Sequence, residues 1–165
     1  MVGRKIILDV GCGTNPKGDV NCDLIVGKTI HRWKKDVINP KEITNFVRCD
    51  AQHLPFKNAT FSIVYSSHTL EHVENPKKML REMIRVSSWK VFFRVPHRFS
   101  VAFTPKEAHK SHKWIFNVSS LEKLVKTLNV HYSFKIRYRD FPHKFIPLIR
   151  LPEEIHCTIY KRGEI

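Results

Sequence analysis

The stretch Ile6-Ile7-Leu8-Asp9-Val10-Gly11-Cys12-Gly13-Thr14 limits what this chain can fold into more than any other. Its unbroken apolar start, rich in β-branched residues, predicts a strand buried on both faces, as inside a parallel sheet. Asp9 and two alternating glycines follow. Glycine takes up positive φ at no cost and lets a ligand come close to the backbone. In open α/β folds such a loop lies at the carboxyl edge of the sheet, where ligands bind. What the loop lacks narrows the ligand. A dinucleotide fingerprint would place a third glycine at position 16, where this chain has Pro16. A phosphate-binding P-loop would run past Gly18 into Lys and Ser or Thr, and here Asp19-Val20 follows. Pyrophosphate binding is disfavoured.

The rest of the chain reads as one α/β domain spanning residues 1–165 with a mostly parallel sheet. A short second strand, Val20-Asn21-Cys22, ends in Asp23, leaving too few residues after the first strand for a full crossover helix. A basic patch, His31-Arg32-Trp33-Lys34-Lys35, precedes Asn39-Pro40, which with Glu42 reads as the start of a short helix. A third strand, Phe46 to Cys49, ends in Asp50, and a fourth, Phe61 to Tyr65, runs into Ser66-Ser67-His68. Asn75-Pro76 opens an amphipathic helix with Met79, Leu80, Met83 and Ile84 on its apolar face. A fifth strand, Trp89 to Val95, stops at Pro96, and residues 96–114 read as a substrate-side loop or insertion. Ser119 and Glu122 form a capping-box pattern ahead of Leu121, Leu124, Val125 and Leu128. Tyr132, Phe134, Ile136 and Tyr138 alternate with polar residues in a strand, Phe141 to Pro152 reads as a loop, and Ile155 to Tyr160 as a last strand.

Charge points to the partner. Lys and Arg outnumber Asp and Glu by 29 to 15, a net charge of +14, which favours an anionic partner such as nucleic acid. Cys12, Cys22, Cys49 and Cys157 are scattered with no C-x2-C pair, as expected of free thiols in a reducing compartment. Asp9 interrupts the first apolar run before a signal sequence can form, and no run is long enough for a membrane span. These features together predict a cytoplasmic protein.

Three successive strands end in Asp9, Asp23 and Asp50, all expected on one sheet edge. A carboxylate there can accept two hydrogen bonds from a ribose diol. Further carboxylates suit an amino group and repel phosphate, so the set fits a nucleoside with an amino-acid tail. Here the sequence resembles the class I S-adenosylmethionine-dependent methyltransferases, in particular their small methyltransferase-domain-11-like branch. The likeness rests on residues 7–14, on Val20-Asn21-Cys22-Asp23, on residues 49–56 from Cys49-Asp50-Ala51 onward, and on residues 61–73, which include His68-Thr69-Leu70-Glu71-His72.

The resemblance implies a Rossmann-like, doubly wound, mostly parallel seven-stranded sheet, here with a shortened first helix and no N-terminal lid. It implies S-adenosylmethionine as cofactor. Asp9, Gly11 and Gly13 would hold its methionine moiety, Asp23 the ribose hydroxyls, and Asp50 with Ala51 the adenine; Ser66 or Ser67 would line the methionine end. Two departures stand out: Asn15-Pro16, where many members continue with glycine and a full helix, and Ser62, where the family usually has aspartate. The missing N-terminal lid, in turn, leads us to expect weaker cofactor binding, or binding that depends on substrate or a partner.

Methyl transfer to nitrogen or oxygen needs in-line positioning above all, and a base only when the acceptor carries a proton to lose. His68 after the fourth strand and His97 after the fifth are the candidate bases. Arg94, Arg98, Lys110 and Lys113 are the candidate grip on an anionic acceptor, RNA first among them. His68 and His72 have the spacing of a zinc-protease pair, but they follow a buried strand directly, so no metal is expected. Two alternatives remain: a catalytically inactive nucleic-acid-binding module on the same scaffold, for which the basic and aromatic residues between Arg94 and Trp114 speak, and a methyltransferase acting on a protein or small molecule.

Overall fold

A computed structural model describes residues 5–27, 37–102, 110–141 and 149–161. Among them seven strands form one sheet: β1 (Ile7–Val10), β2 (Val20–Asp23), β3 (Phe46–Arg48), β4 (Phe61–Ser67), β5 (Ser87–Pro96), β6 (His131–Phe141) and β7 (Ile149–Tyr160). Their order across the sheet is β3-β2-β1-β4-β5-β7-β6. β1 to β5 pair in parallel, and β7 inserts antiparallel between β5 and β6. β1 therefore sits centrally, which explains why its side chains at Leu8 and Val10 are completely buried.

The order turns direction between β1 and β4, the switch point at which open α/β sheets bind ligands. No helix separates β1 from β2. The connection is stitched to β1 instead. Asp19 Oδ2 accepts from Ile7 N at 2.9 Å, and Asp19 N donates to the Ile7 carbonyl at 2.8 Å. The Asn21 amide donates to the carbonyls of Gly18 and Thr44 and accepts from Gly18 N. These bonds satisfy backbone groups that a helix would otherwise have paired.

Helix α1 (Pro76–Val86) begins where Asn75 caps it, its side chain accepting from Lys78 N, with Pro76 pre-set for the first turn. Met79, Leu80, Met83 and Val86 are completely buried in the core shared with Val64, Val91 and Phe93. Each such side chain contributes about 1.5–3 kcal/mol of burial. Arg85 pins the preceding loop. Its guanidinium donates to the carbonyls of Phe56 and Leu54 and pairs with Glu82 at 2.7 Å.

Several boundaries differ from the sequence reading. The segment after β5 opens with a short helix, α2 (Arg98–Ala102). Helix α3 (Val118–Lys126) is capped by Asn117, in a reciprocal pair with Ser120, so Ser119 and Glu122 are not its capping box. Asn117 precedes the expected cap by two residues, and its Oδ1 accepts from Ser120 N at 2.8 Å, so the first turn starts earlier. β7 begins at Ile149, inside the expected loop. It accommodates Pro152 beside the register shift between Arg137 and Tyr138, the kind of irregularity that tolerates a residue without an N–H. Asn39, Pro40 and Glu42 do form a short 3-10 turn, Pro40–Glu42. β6 is an edge strand, and its Lys135 and Arg137 face solvent, where charge discourages edge pairing. The basic patch at residues 31–35 lies outside the described residues. No described helix is long and apolar enough to cross a membrane, and all four cysteines are free.

Candidate cofactor and active site

A cavity of about 840 Å³ opens where β1, β2, β4 and β5 end. That volume is within the range of small-molecule sites. Asp9, Gly11, Gly13, Asp23, Asp50, Ala51 and Ser67 all line it, as do His68, Arg94 and Lys113.

At its floor the β1 loop turns sharply. The amides of Gly11 and Cys12 both donate to the Cys22 carbonyl, at 2.8 and 3.0 Å, locking the loop against β2. Gly11 has φ +71°, and a Cβ there would lie 2.1 Å from Thr69 Oγ1, so only glycine fits. Asp23 accepts from Gly13 N and Ile25 N, both at 3.0 Å, so its carboxylate organises two loops around the cavity. Asp50 accepts from Gln52 N at 2.9 Å and faces His53 at 3.2 Å. Burial alone would raise its carboxyl, but the bonds from Gln52 and His53 outweigh it and hold the group below the usual range.

Asp9 differs from the other two. It is 2% exposed, its Oδ2 accepts from Lys17 N at 2.8 Å, and its Oδ1 is buried without a hydrogen-bond partner. Desolvation, with Asp23 nearby adding repulsion, pushes its pKa up to about 6 against the Lys17 amide. A carboxylate oxygen left this way at a cavity floor suits a cationic ligand group.

Opposite lies a charged cluster that the sequence did not announce. Glu154 of β7 accepts from His68 Nε2 at 2.8 Å and from His156 Nε2 at 3.0 Å, with Arg94 at 3.4 Å. Burial alone would raise Glu154; the bonds from His68 and His156 outweigh it and lower its pKa to about 2. Burial likewise pulls His68 down, but Glu154, and Glu71 at 3.5 Å, raise it to about 9. His68 is thus an imidazolium at neutral pH, a donor and not a base. It has φ +52°, uncommon outside glycine, and its amide donates to the Arg94 carbonyl at 3.1 Å. Arg94 is itself engaged, its Nε donating to Ser67 Oγ at 2.7 Å.

Four candidates do not line the cavity. Ser66 points to the other face of β4 from Ser67 and donates to the Val10 carbonyl at 2.8 Å, tying β4 to β1. His97 is 6% exposed, beneath the Phe116 segment with which it forms a bridge, and burial with Arg98 beside it lowers its pKa. It is not placed to serve as a catalytic base here. Arg98, at the start of α2, and Lys110 are exposed outside the cavity. Lys113 lines it but is ion-paired with Glu74. Thr69, His72 and Ser111 line it without having been singled out for a role at the cofactor.

Comparison with known proteins places this arrangement. Residues 20–89 match the model of a methyltransferase domain. The norajmaline N-methyltransferase of Rauvolfia serpentina is 29% identical over 99 residues, covering 51% of this chain and 32% of that protein. A sterol 4-C-methyltransferase of Caenorhabditis elegans is 29% identical over 92 residues, covering 48% and 27%. The chain thus spans about a third of the length of these curated relatives. Among solved structures, a SAM-dependent methyltransferase from Thermotoga maritima superposes with a TM-score of 0.69 at 15% identity, covering 98% of this chain and 84% of that one. One from Archaeoglobus fulgidus gives 0.65 at 15% identity, covering 96% and 87%. Residues 20–89 thus resemble a methyltransferase domain, and the fold is the one these solved SAM-dependent methyltransferases share.

Proposed function

We propose that this chain transfers a methyl group from S-adenosylmethionine to a nitrogen or oxygen of an acceptor, and that the acceptor is anionic, RNA in the first instance. The observation that carries the first part is Asp9 Oδ1, a buried oxygen without a partner at the floor of a cavity rimmed by strand-end carboxylates. S-adenosylmethionine, when bound, supplies a methyl group on a sulfonium that leaves readily. An α-ammonium would neutralise Asp9, Asp23 would accept from a ribose diol, and Asp50 with Ala51 would border the adenine. No phosphate is asked to sit among these carboxylates.

His68 then acts by position and charge. As an imidazolium held by Glu154 it donates and does not accept, so an acceptor nitrogen reacts as its free base. The rest is orientation of the two reactants. The net charge of +14 supports an anionic acceptor.

Two measurements test the reading. Calorimetric titration with S-adenosylmethionine should show one site per chain, and tritiated methyl transfer should label an RNA pool in preference to DNA, protein or small-molecule pools. No cofactor binding removes the enzyme reading. Labelling of another pool moves the acceptor to that class.

A further inference from the structure

We propose a second site beside the cofactor cavity: Glu71, His72 and His112 bind a divalent transition-metal ion. The three residues each offer a ligand atom, and these atoms lie within 4.8 Å of one another.

The strongest sign is Glu71. It is completely buried, and neither of its carboxylate oxygens has a hydrogen-bond partner. A buried carboxylate in that condition is costly unless a cation compensates it. The His68 ring, with Nδ1 3.5 Å from Oε1, offsets part of that charge and leaves Oε2 without a hydrogen-bond partner. The main chain shows how the cluster is assembled. The Glu71 carbonyl accepts from Lys113 N at 2.8 Å and Trp114 N at 3.2 Å, which latches the downstream segment onto this turn and brings His112 to it. His72 Nδ1 meets the Ser111 carbonyl at 3.1 Å. A carbonyl only accepts, so Nδ1 carries the proton and Nε2 keeps the lone pair, the orientation that outer partners impose on metal-binding histidines. The two imidazoles meet edge to face at 4.8 Å.

Two imidazoles and one carboxylate are a donor set that takes zinc or a neighbouring transition ion. Ligands 2.0–2.1 Å from a tetrahedral ion stand about 3.4 Å apart, so the side chains must draw in by roughly an ångström. Three protein ligands leave a coordination position for water or an acceptor atom. Since His72 and Ser111 both line the cavity, the cluster borders the space where an acceptor would approach. The sequence expectation of no metal weighed His68 with His72; the fold gives His68 to Glu154 and pairs His72 with Glu71 and His112 instead.

The test uses the full chain and no methyl-transfer assay, so its failure is separate from that of the enzyme reading. Metal-stripped protein is titrated with Zn²⁺ and, in parallel, with Co²⁺. One equivalent per chain is expected, with visible Co²⁺ absorption bands. His112→Ala and Glu71→Gln should each weaken binding by at least about 100-fold. His131→Ala, exposed at the opposite edge of the sheet, should leave it unchanged. In wild type, Co²⁺ should displace the ring-proton resonances of His72 and His112 and leave those of His131 in place, a reading that survives if either variant fails to fold. Absence of a one-to-one complex overturns the site. So does binding that both variants retain, or a Co²⁺ complex that leaves the His72 and His112 resonances unmoved.

Discussion

Among single residues, Asp9 has the clearest consequences, because one of its oxygens is bonded and the other is not. Its pKa of about 6 exceeds the ordinary 3.8, so folding favours the protonated form. That contribution is complete below about pH 3.8 and is lost as pH rises through 6, a swing of about 3 kcal/mol. Asp9→Asn keeps an acceptor for Lys17 N and cannot titrate, so this contribution should be missing from its pH profile; urea unfolding of both proteins at pH 4, 5, 6 and 7 measures the difference. The same oxygen governs the ligand. A cationic group competes with the proton, so S-adenosylmethionine affinity should fall by up to tenfold per unit below pH 6 in wild type. In Asp9→Asn it should be weaker and nearly independent of pH. Asp23→Ala removes the acceptor for Gly13 N and Ile25 N together with the diol partner. Its expected cost is about 1.5–3 kcal/mol of cofactor binding, roughly ten- to a hundredfold. Unchanged affinity in a folded variant would refute the assignment.

At the level of elements, what the sequence revealed follows from how local its signal is. Buried parallel strands announce themselves by apolar runs, and β1 and β4 begin within a residue of where those runs do. Strand ends are set by partners elsewhere. β4 continues through Ser66 and Ser67 because β5 pairs with it as far as Arg94, and this puts Ser66 and Ser67 on opposite faces. β7 starts early because β6 holds it from Ile149, a contact invisible in a Pro-containing segment. The site divides the same way. Asp9, Asp23 and Asp50 were legible because each lies in the last two residues of a strand or just past one; Glu154 was not, since its approach to His68 joins residues 86 apart in sequence. Capping offers a clean check. Asn117→Ala should destabilise the protein by about 1 kcal/mol, since its side chain accepts from Ser120 N at 2.8 Å. Ser119→Ala, which removes no cap, should stay within about 0.5 kcal/mol. Thermal unfolding of the two variants decides which residue starts α3.

Across the whole molecule the question is whether a charge of +14 is aimed at the cavity or merely spread over the surface. The fold complicates the simple picture. Arg94 is bound to Ser67 and Glu154, and Lys113 to Glu74, so these two cations of the cavity lining already have carboxylate or hydroxyl partners. Lys110 is exposed just outside it. An RNA phosphate would therefore have to compete with Glu74 for Lys113 while meeting Lys110 in solvent. If it does, binding of mixed single-stranded RNA should weaken steeply with salt, by about 0.7 in log affinity per log salt for each phosphate neutralised. Replacing Lys110 and Lys113 together by alanine should flatten that slope by about one to two contacts and weaken binding at low salt. Charge dispersed over the surface would behave differently: the salt slope would persist in the double variant, because counterion release would come from lysines elsewhere. Fluorescence anisotropy across a salt series, for both proteins, separates the outcomes. A slope unchanged by the double substitution, or no salt-dependent binding in wild type, rejects an RNA grip at this edge and leaves a protein or small molecule as the acceptor to pursue.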